Sequence, residues 1–145
     1  MEEAFYLDHA PMTEKEARLL SPLRLAYVGD AVHELFVRTG LLFAGGKAGA
    51  MHKAAIHAVN AAGQARALER IERALTDDER DIVRRGRNAH AHHAAPRHAD
   101  PADYAHATAL EALWGYLYLS GQTQRLDELM RLALTRTEDV WQKQT

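Results

Sequence analysis

The sequence predicts an all-helical protein, on three observations. Alanine, leucine, glutamate and arginine dominate it. Apolar residues recur at three- and four-residue spacing, with no sustained alternation that would mark a strand. Ser, Thr, Asn or Asp stands at the head of most apolar-periodic stretches, often with proline next or glutamate three residues on, which is the chemistry of helix starts.

Taken in order, Thr13 with Glu16 has the spacing of a capping box and opens a first helix to about Leu20. Ser21 and Pro22 read as N-cap and first helical position of a second helix, which stops near Thr39 and Gly40. The loop FAGGKAG follows, then an alanine-rich helical region from Ala50 to Ala74, within which Asn60 is a good N-cap for a new helix. Thr76 with Glu79 is a second capping box, leading a helix into RRGR. The segment after Asn88, with Pro96 and Pro101, reads as a loop. Asp100 and Pro101 repeat the cap-then-proline start for the helix that carries Glu111 to about Ser120, where Gly121 ends it. Thr123 opens the last helix, with Leu126, Leu129, Met130 and Leu134 on its apolar face and a polar tail from Gln142 to Thr145.

A chain of 145 residues is expected to form one domain with a substantial core. The lack of cysteine excludes disulfides and thiolate metal sites and makes the cytoplasm the simplest address. The N-terminus, MEEAFYLDHAP, has no apolar signal region, and no stretch is long enough to span a bilayer, so no membrane association is expected. Eighteen Lys and Arg against twenty Asp and Glu give a net charge of −2, which excludes a strongly basic nucleic-acid binder and leaves only a local patch. Such a patch runs from Arg84 to His98, RRGRNAHAHHAAPRH, with four arginines, four histidines and no acid.

Two acids break the helical pattern. In LAYVGDAVHELFVR, Leu25 to Arg38, Gly29 and Asp30 stand in the middle of an amphipathic helix. Glycine there costs about 1 kcal/mol relative to alanine, and a carboxylate beside an apolar seam costs more unless compensated. In ATALEALWGYLYL, Glu111 is flanked by alanines and leucines in what reads as a core helix. Small residues surround both acids: Gly29 and Ala31 beside one; Ala107, Thr108, Ala112 and Gly115 around the other. Small residues allow close helix approach, so the two carboxylates can face each other across one crossing. Facing carboxylates repel unless a cation lies between them, and an oxygen-only donor set favours a hard cation such as Mg²⁺. Such a site suits phosphodiester hydrolysis. The plainer reading is that isolated acids in apolar helices lie at the surface or pair with arginine; Glu34 follows Asp30 at i+4, and Arg38 is placed to pair with Glu34.

These residues carry a resemblance. LAYVGDAVHELFVR resembles the signature helix of the ribonuclease III catalytic domain, and RRGRNA with TALEALWGYLYL extends the likeness from about Leu20 to about Leu134. The closest likeness is to the Mini-III branch, short bacterial ribonucleases with the catalytic domain and no separate double-stranded RNA-binding domain. The resemblance implies an all-α homodimer of about seven helices per subunit. Its activity would be Mg²⁺-dependent cleavage of double-stranded RNA, with Mn²⁺ as a substitute metal, leaving 5′-phosphate and 3′-hydroxyl ends. The implied substrate is a stem in the precursor of large-subunit ribosomal RNA. Asp30 and Glu111 inherit the catalytic, metal-binding role. Where the larger ribonuclease III enzymes carry further acids, this chain has Leu23, Ala26 and Thr108, so the metal keeps more waters. A catalytically silent RNA-binding module on the same fold is the alternative, which the presence of both acids argues against.

RNA of this class is read by shape, through phosphates and 2′-hydroxyls. Arg84, Arg85 and Arg87 with Asn88 suit that task, with Lys47, Lys53 and Arg97 as further candidates; as a plainer role, arginines at a helix C-terminus complement its dipole. Mini-III sequences usually carry a lysine-, serine- or threonine-rich loop after RGRNA, where this chain has HAHHAAPRHAD. His90, His92, His93 and His98 there are candidates for a transition-metal site or for proton uptake on RNA binding. His106 sits five residues before Glu111, on a different helix face. Finally, Trp114, Tyr116, Tyr118, Leu23 and Tyr27 are more large groups than one small core should cover, which predicts a dimer interface.

Overall fold

The computed structural model describes residues 9–89 and 100–134, with positions 57 and 58 described as backbone only. They form seven α-helices and no strand: α1 (Glu14–Arg18), α2 (Pro22–Ala44), α3 (Ala48–Val59), α4 (Ala61–Ile71), a 3₁₀ turn (Glu72–Ala74), α5 (Asp77–Asn88), α6 (Pro101–Leu119) and α7 (Thr123–Leu134). None of these helices is long and apolar enough to cross a membrane.

The run Ala107 to Leu117 has no polar face, so α6 has to be enclosed on all sides. Helices α1, α2, α4, α5 and α7 pack around it. Every residue of that run except Glu111 is buried. Trp114 and Tyr116 are 0% and 2% exposed, so they belong to this core and not to an interface, contrary to the expectation from their size. Leu23 and Tyr27 remain at the surface, at 38% and 84% exposure.

Local signals set the helix starts. Thr13 and Thr76 each form a complete capping box, with Glu16 and Glu79 respectively. The Ser21 hydroxyl accepts from the Arg24 N–H, the Asn60 side chain accepts from the Gly63 N–H, and Asp100 accepts from the N–H groups of Ala102 and Asp103. The end of α2 differs from the sequence expectation. Gly40 stays helical, because Leu41 beyond it continues the buried seam, and the helix stops only at Gly45, which adopts φ 76°. One helical glycine costs about 1 kcal/mol, less than exposing a leucine that is fully packed.

Glu79, having served its capping box, is buried and meets Arg125 of α7 in a forked pair, with Arg125 Nε and Nη2 donating to its two carboxylate oxygens at 2.9 and 2.8 Å. Arg125 also donates to the Ala74 carbonyl at 2.6 Å. Burial alone would raise the Glu79 pKa, but hydrogen bonds from Arg125 and Thr76 and the Arg125 charge outweigh it, so the net shift is downward. The group therefore stays ionised at neutral pH and fixes the corner between the 3₁₀ turn, α5 and α7.

Candidate active site

Asp30 and Glu111 meet because two glycines remove side chains from the α2–α6 crossing. A Cβ on Gly29 would stand 1.6 Å from the Glu111 carbonyl oxygen, and one on Gly115 would stand 1.9 Å from the Leu25 carbonyl oxygen. Backbone therefore touches backbone at both places. Asp30, next to Gly29, projects outward and is exposed; Glu111 is the half-buried break in the enclosed run of α6. A second close approach, with a Cβ on Gly86 falling 2.8 Å from the Ala109 Cα, seats α5 against the same helix.

The electrostatics of the pair are those of two like charges without a partner. Burial first, and the Asp30 charge second, push the Glu111 pKa up to about 8. Partial burial and the neighbouring Glu34 raise that of Asp30. Arg38 pairs with Glu34, as the spacing predicts, and no Lys or Arg among the described residues pairs with Asp30 or Glu111. Of the plainer reading, the surface position holds for Asp30, which is exposed, while the arginine pairing holds for neither acid. Two neighbouring acids without a cationic partner, one exposed and one half-buried, are oxygen donors that fit a hard divalent cation that retains water. Among the described residues no group of three or more histidines, cysteines or acids converges on a metal position. Ala26 and Thr108 are buried, and the Thr108 hydroxyl donates to the Tyr104 carbonyl at 3.0 Å.

The arginines of α5 divide. Arg84 and Arg87 are exposed and make only surface pairs, with Asp81 at 2.6 Å and Glu72 at 3.5 Å; Asn88 is exposed beside them. Such pairs are weak and exchangeable. Arg85 is half-buried and donates to the carbonyls of Arg18 and Leu20 at 2.8 and 3.0 Å, so it closes the end of α1 and holds the corner from which α2 departs. Lys47 and Lys53 are exposed at the start of and along α3. Arg97 and the histidines His90, His92, His93 and His98 lie outside the described residues.

The sequence reading passed over one pair. His33 and Trp114 are both fully buried, and the indole N–H donates to His33 Nδ1 at 3.0 Å, joining α2 to α6. Its signal was present: Leu25, Gly29, His33, Val37 and Leu41 form an unbroken i+4 seam, and a buried indole needs an acceptor.

Comparison with known proteins agrees with this geometry. The model of the Ribonuclease III domain family matches residues 23–122. A Mini-ribonuclease 3 of Symbiobacterium thermophilum is 51% identical over 115 residues, covering 79% of this chain and 88% of the relative. A Mini-ribonuclease 3 of a Thermoanaerobacter species is 38% identical over 136 residues, covering 92% and 95%. Among solved structures, a protein from Fusobacterium nucleatum superposes with a TM-score of 0.73 at 30% identity, over 81% of this chain and 94% of that one. With matched residues that span both acid-bearing helices and relatives aligned along most of their own length, the chain belongs to the ribonuclease III family, in its Mini-ribonuclease 3 branch.

Proposed function

We propose that this protein is a single-domain, Mg²⁺-dependent endoribonuclease that cuts double-stranded RNA to 5′-phosphate and 3′-hydroxyl ends, working in the cytoplasm on a stem of the large-subunit ribosomal RNA precursor. Membership of the ribonuclease III family supports the reaction class. The observation that carries the site is the facing, unpartnered pair Asp30 and Glu111. These two carboxylates hold the cation, with Mn²⁺ as a substitute. When bound, the cation makes water a better nucleophile and offsets charge on the phosphate. Asp30, at the exposed side, is the first oxygen ligand the substrate side meets, and Glu111 anchors the site from the core. Arg84, Arg87 and Asn88, with Lys53 and Arg97, receive phosphates along the duplex, while Arg85 acts from behind by fixing the α1–α2 corner.

The working form is a homodimer. Leu19, Leu23 and Tyr27 lie at the surface along the end of α1 and the first turns of α2, leading towards Asp30, with Leu19 77% exposed. An apolar strip of that kind suits a two-fold contact that would set one site to each RNA strand.

Three outcomes are expected. Asp30→Asn and Glu111→Gln should each lower the cleavage rate by at least about a thousandfold while binding duplex RNA at near wild-type affinity in Ca²⁺, a loss on the scale of removing a central electrostatic group; near-normal cleavage by either variant would mean that the site is elsewhere. In binding measured against salt, Arg84→Gln and Arg87→Gln should each reduce the logarithmic salt slope by about 1 at unchanged melting temperature. Arg85→Gln should instead lower the melting temperature first, and an unchanged slope for the first two variants would remove them from the RNA surface. Analytical ultracentrifugation should show a dimer at micromolar concentration and a shift towards monomer for Tyr27→Asp; an active wild-type monomer would contradict the assembly.

A further inference from the structure

His33 has no role in the proposed chemistry, yet its ring is wholly enclosed, at 0% exposure, as is that of Trp114. Indole N–H groups only donate, so His33 Nδ1 is the acceptor in their 3.0 Å hydrogen bond and the neutral ring carries its proton on Nε2. The two ends of this bond are placed alike: His33 stands three residues after Asp30 on α2, and Trp114 three residues after Glu111 on α6. Residues at that spacing are neighbours on a helix surface. Each acid is therefore one turn from one end of the bond.

The glycine contacts at Gly29 and Gly115 set how closely the two backbones approach, but van der Waals contact has little directional preference. A hydrogen bond between two rings locked in a core is directional. Removing the donor and the acceptor of this bond together leaves neither of these two atoms unpaired, so the bond's positioning effect can be read apart from the cost of an orphaned indole N–H or Nδ1. We infer that the His33–Trp114 hydrogen bond positions the active site, setting the rotation of α2 against α6 and with it the separation of the Asp30 and Glu111 carboxylates. The inference rests on the reading of that pair as the metal site. Both residues are positioning residues and touch no substrate.

The test compares His33→Asn, His33→Phe, Trp114→Phe and the double variant His33→Phe/Trp114→Phe. Asparagine keeps an acceptor where Nδ1 stands but leaves a void, whereas the double variant fills the space and removes the donor and the acceptor of this bond together. Three readouts are taken: melting temperature, single-turnover cleavage of duplex RNA, and Mn²⁺ affinity by electron paramagnetic resonance without RNA. The double variant should melt no lower than Trp114→Phe or His33→Phe alone yet cleave at least about tenfold more slowly than wild type and bind Mn²⁺ about tenfold more weakly, with little change in KM, since an error of about 1 Å in a catalytic constellation is enough for such a loss. His33→Asn should melt lower than the double variant but cleave faster. Rates and affinities that simply follow melting temperature, or a double variant equal to wild type in both, would overturn the inference while leaving the site intact. A wild-type protein that neither binds Mn²⁺ nor cleaves would overturn the site and the inference together.

Discussion

The contact on which the rest depends is the one between α2 and α6, where Gly29 lies on the Glu111 carbonyl and Gly115 on that of Leu25. A methyl group at either place would meet backbone atoms at under 2 Å, so the helices would have to separate before any side chain could be accommodated. The contact explains why an acid can sit at position 111 at all. The run around it is packed by five helices, and Glu111 is the one residue of that run that is not buried. The same contact sets Asp30, exposed and next to Gly29, beside Glu111. Fold and candidate site are therefore one piece of geometry.

The geometry is electrostatically unfavourable without a cation. Glu111 has its pKa raised from the ordinary 4.5 to about 8, chiefly by burial and then by Asp30. A carboxyl whose folded pKa lies above its unfolded value takes up a proton on folding. Its contribution to stability is thus full below about pH 4.5 and declines as pH rises towards about 8. A divalent ion reverses that balance by replacing the proton with charge. The opposite arrangement at Glu79, where Arg125 and the Thr76 cap keep a buried acid ionised, shows how this chain treats an acid whose job is structural. The contrast is between a satisfied acid of the scaffold and an unsatisfied one at the candidate site.

Much of this was legible in the sequence, and the reasons differ by element. Capping boxes at Thr13 and Thr76, and the Ser-Pro and Asp-Pro starts, are local chemistry, so they marked the helix origins. Asp30 and Glu111 stood out because each interrupts an apolar pattern and is surrounded by small residues. The end of α2 was misjudged at Gly40 because tertiary burial of Leu41 outweighs a glycine's local cost. The size of Trp114 and Tyr116 points to an interface, and size alone does not reveal that α6 is enclosed by its neighbours. Arg85 looked like its neighbours in RRGR, and only the fold brings the carbonyls of Arg18 and Leu20 within its reach. His33 kept the i+4 seam of α2, yet a histidine there conveys nothing until its partner 81 residues away is known.

The central claim is that Asp30 and Glu111 form a divalent-cation site held under electrostatic stress. The most direct measurement is the titration of the Glu111 carboxyl carbon by NMR, in metal-free buffer and again with Mg²⁺, using Glu111→Gln to assign the signal. Without metal the midpoint should lie near 8. With Mg²⁺ the midpoint should fall by more than about 1 unit, because a cation favours the ionised form. A midpoint in the ordinary carboxylate range near 4.5, unmoved by Mg²⁺, would contradict it.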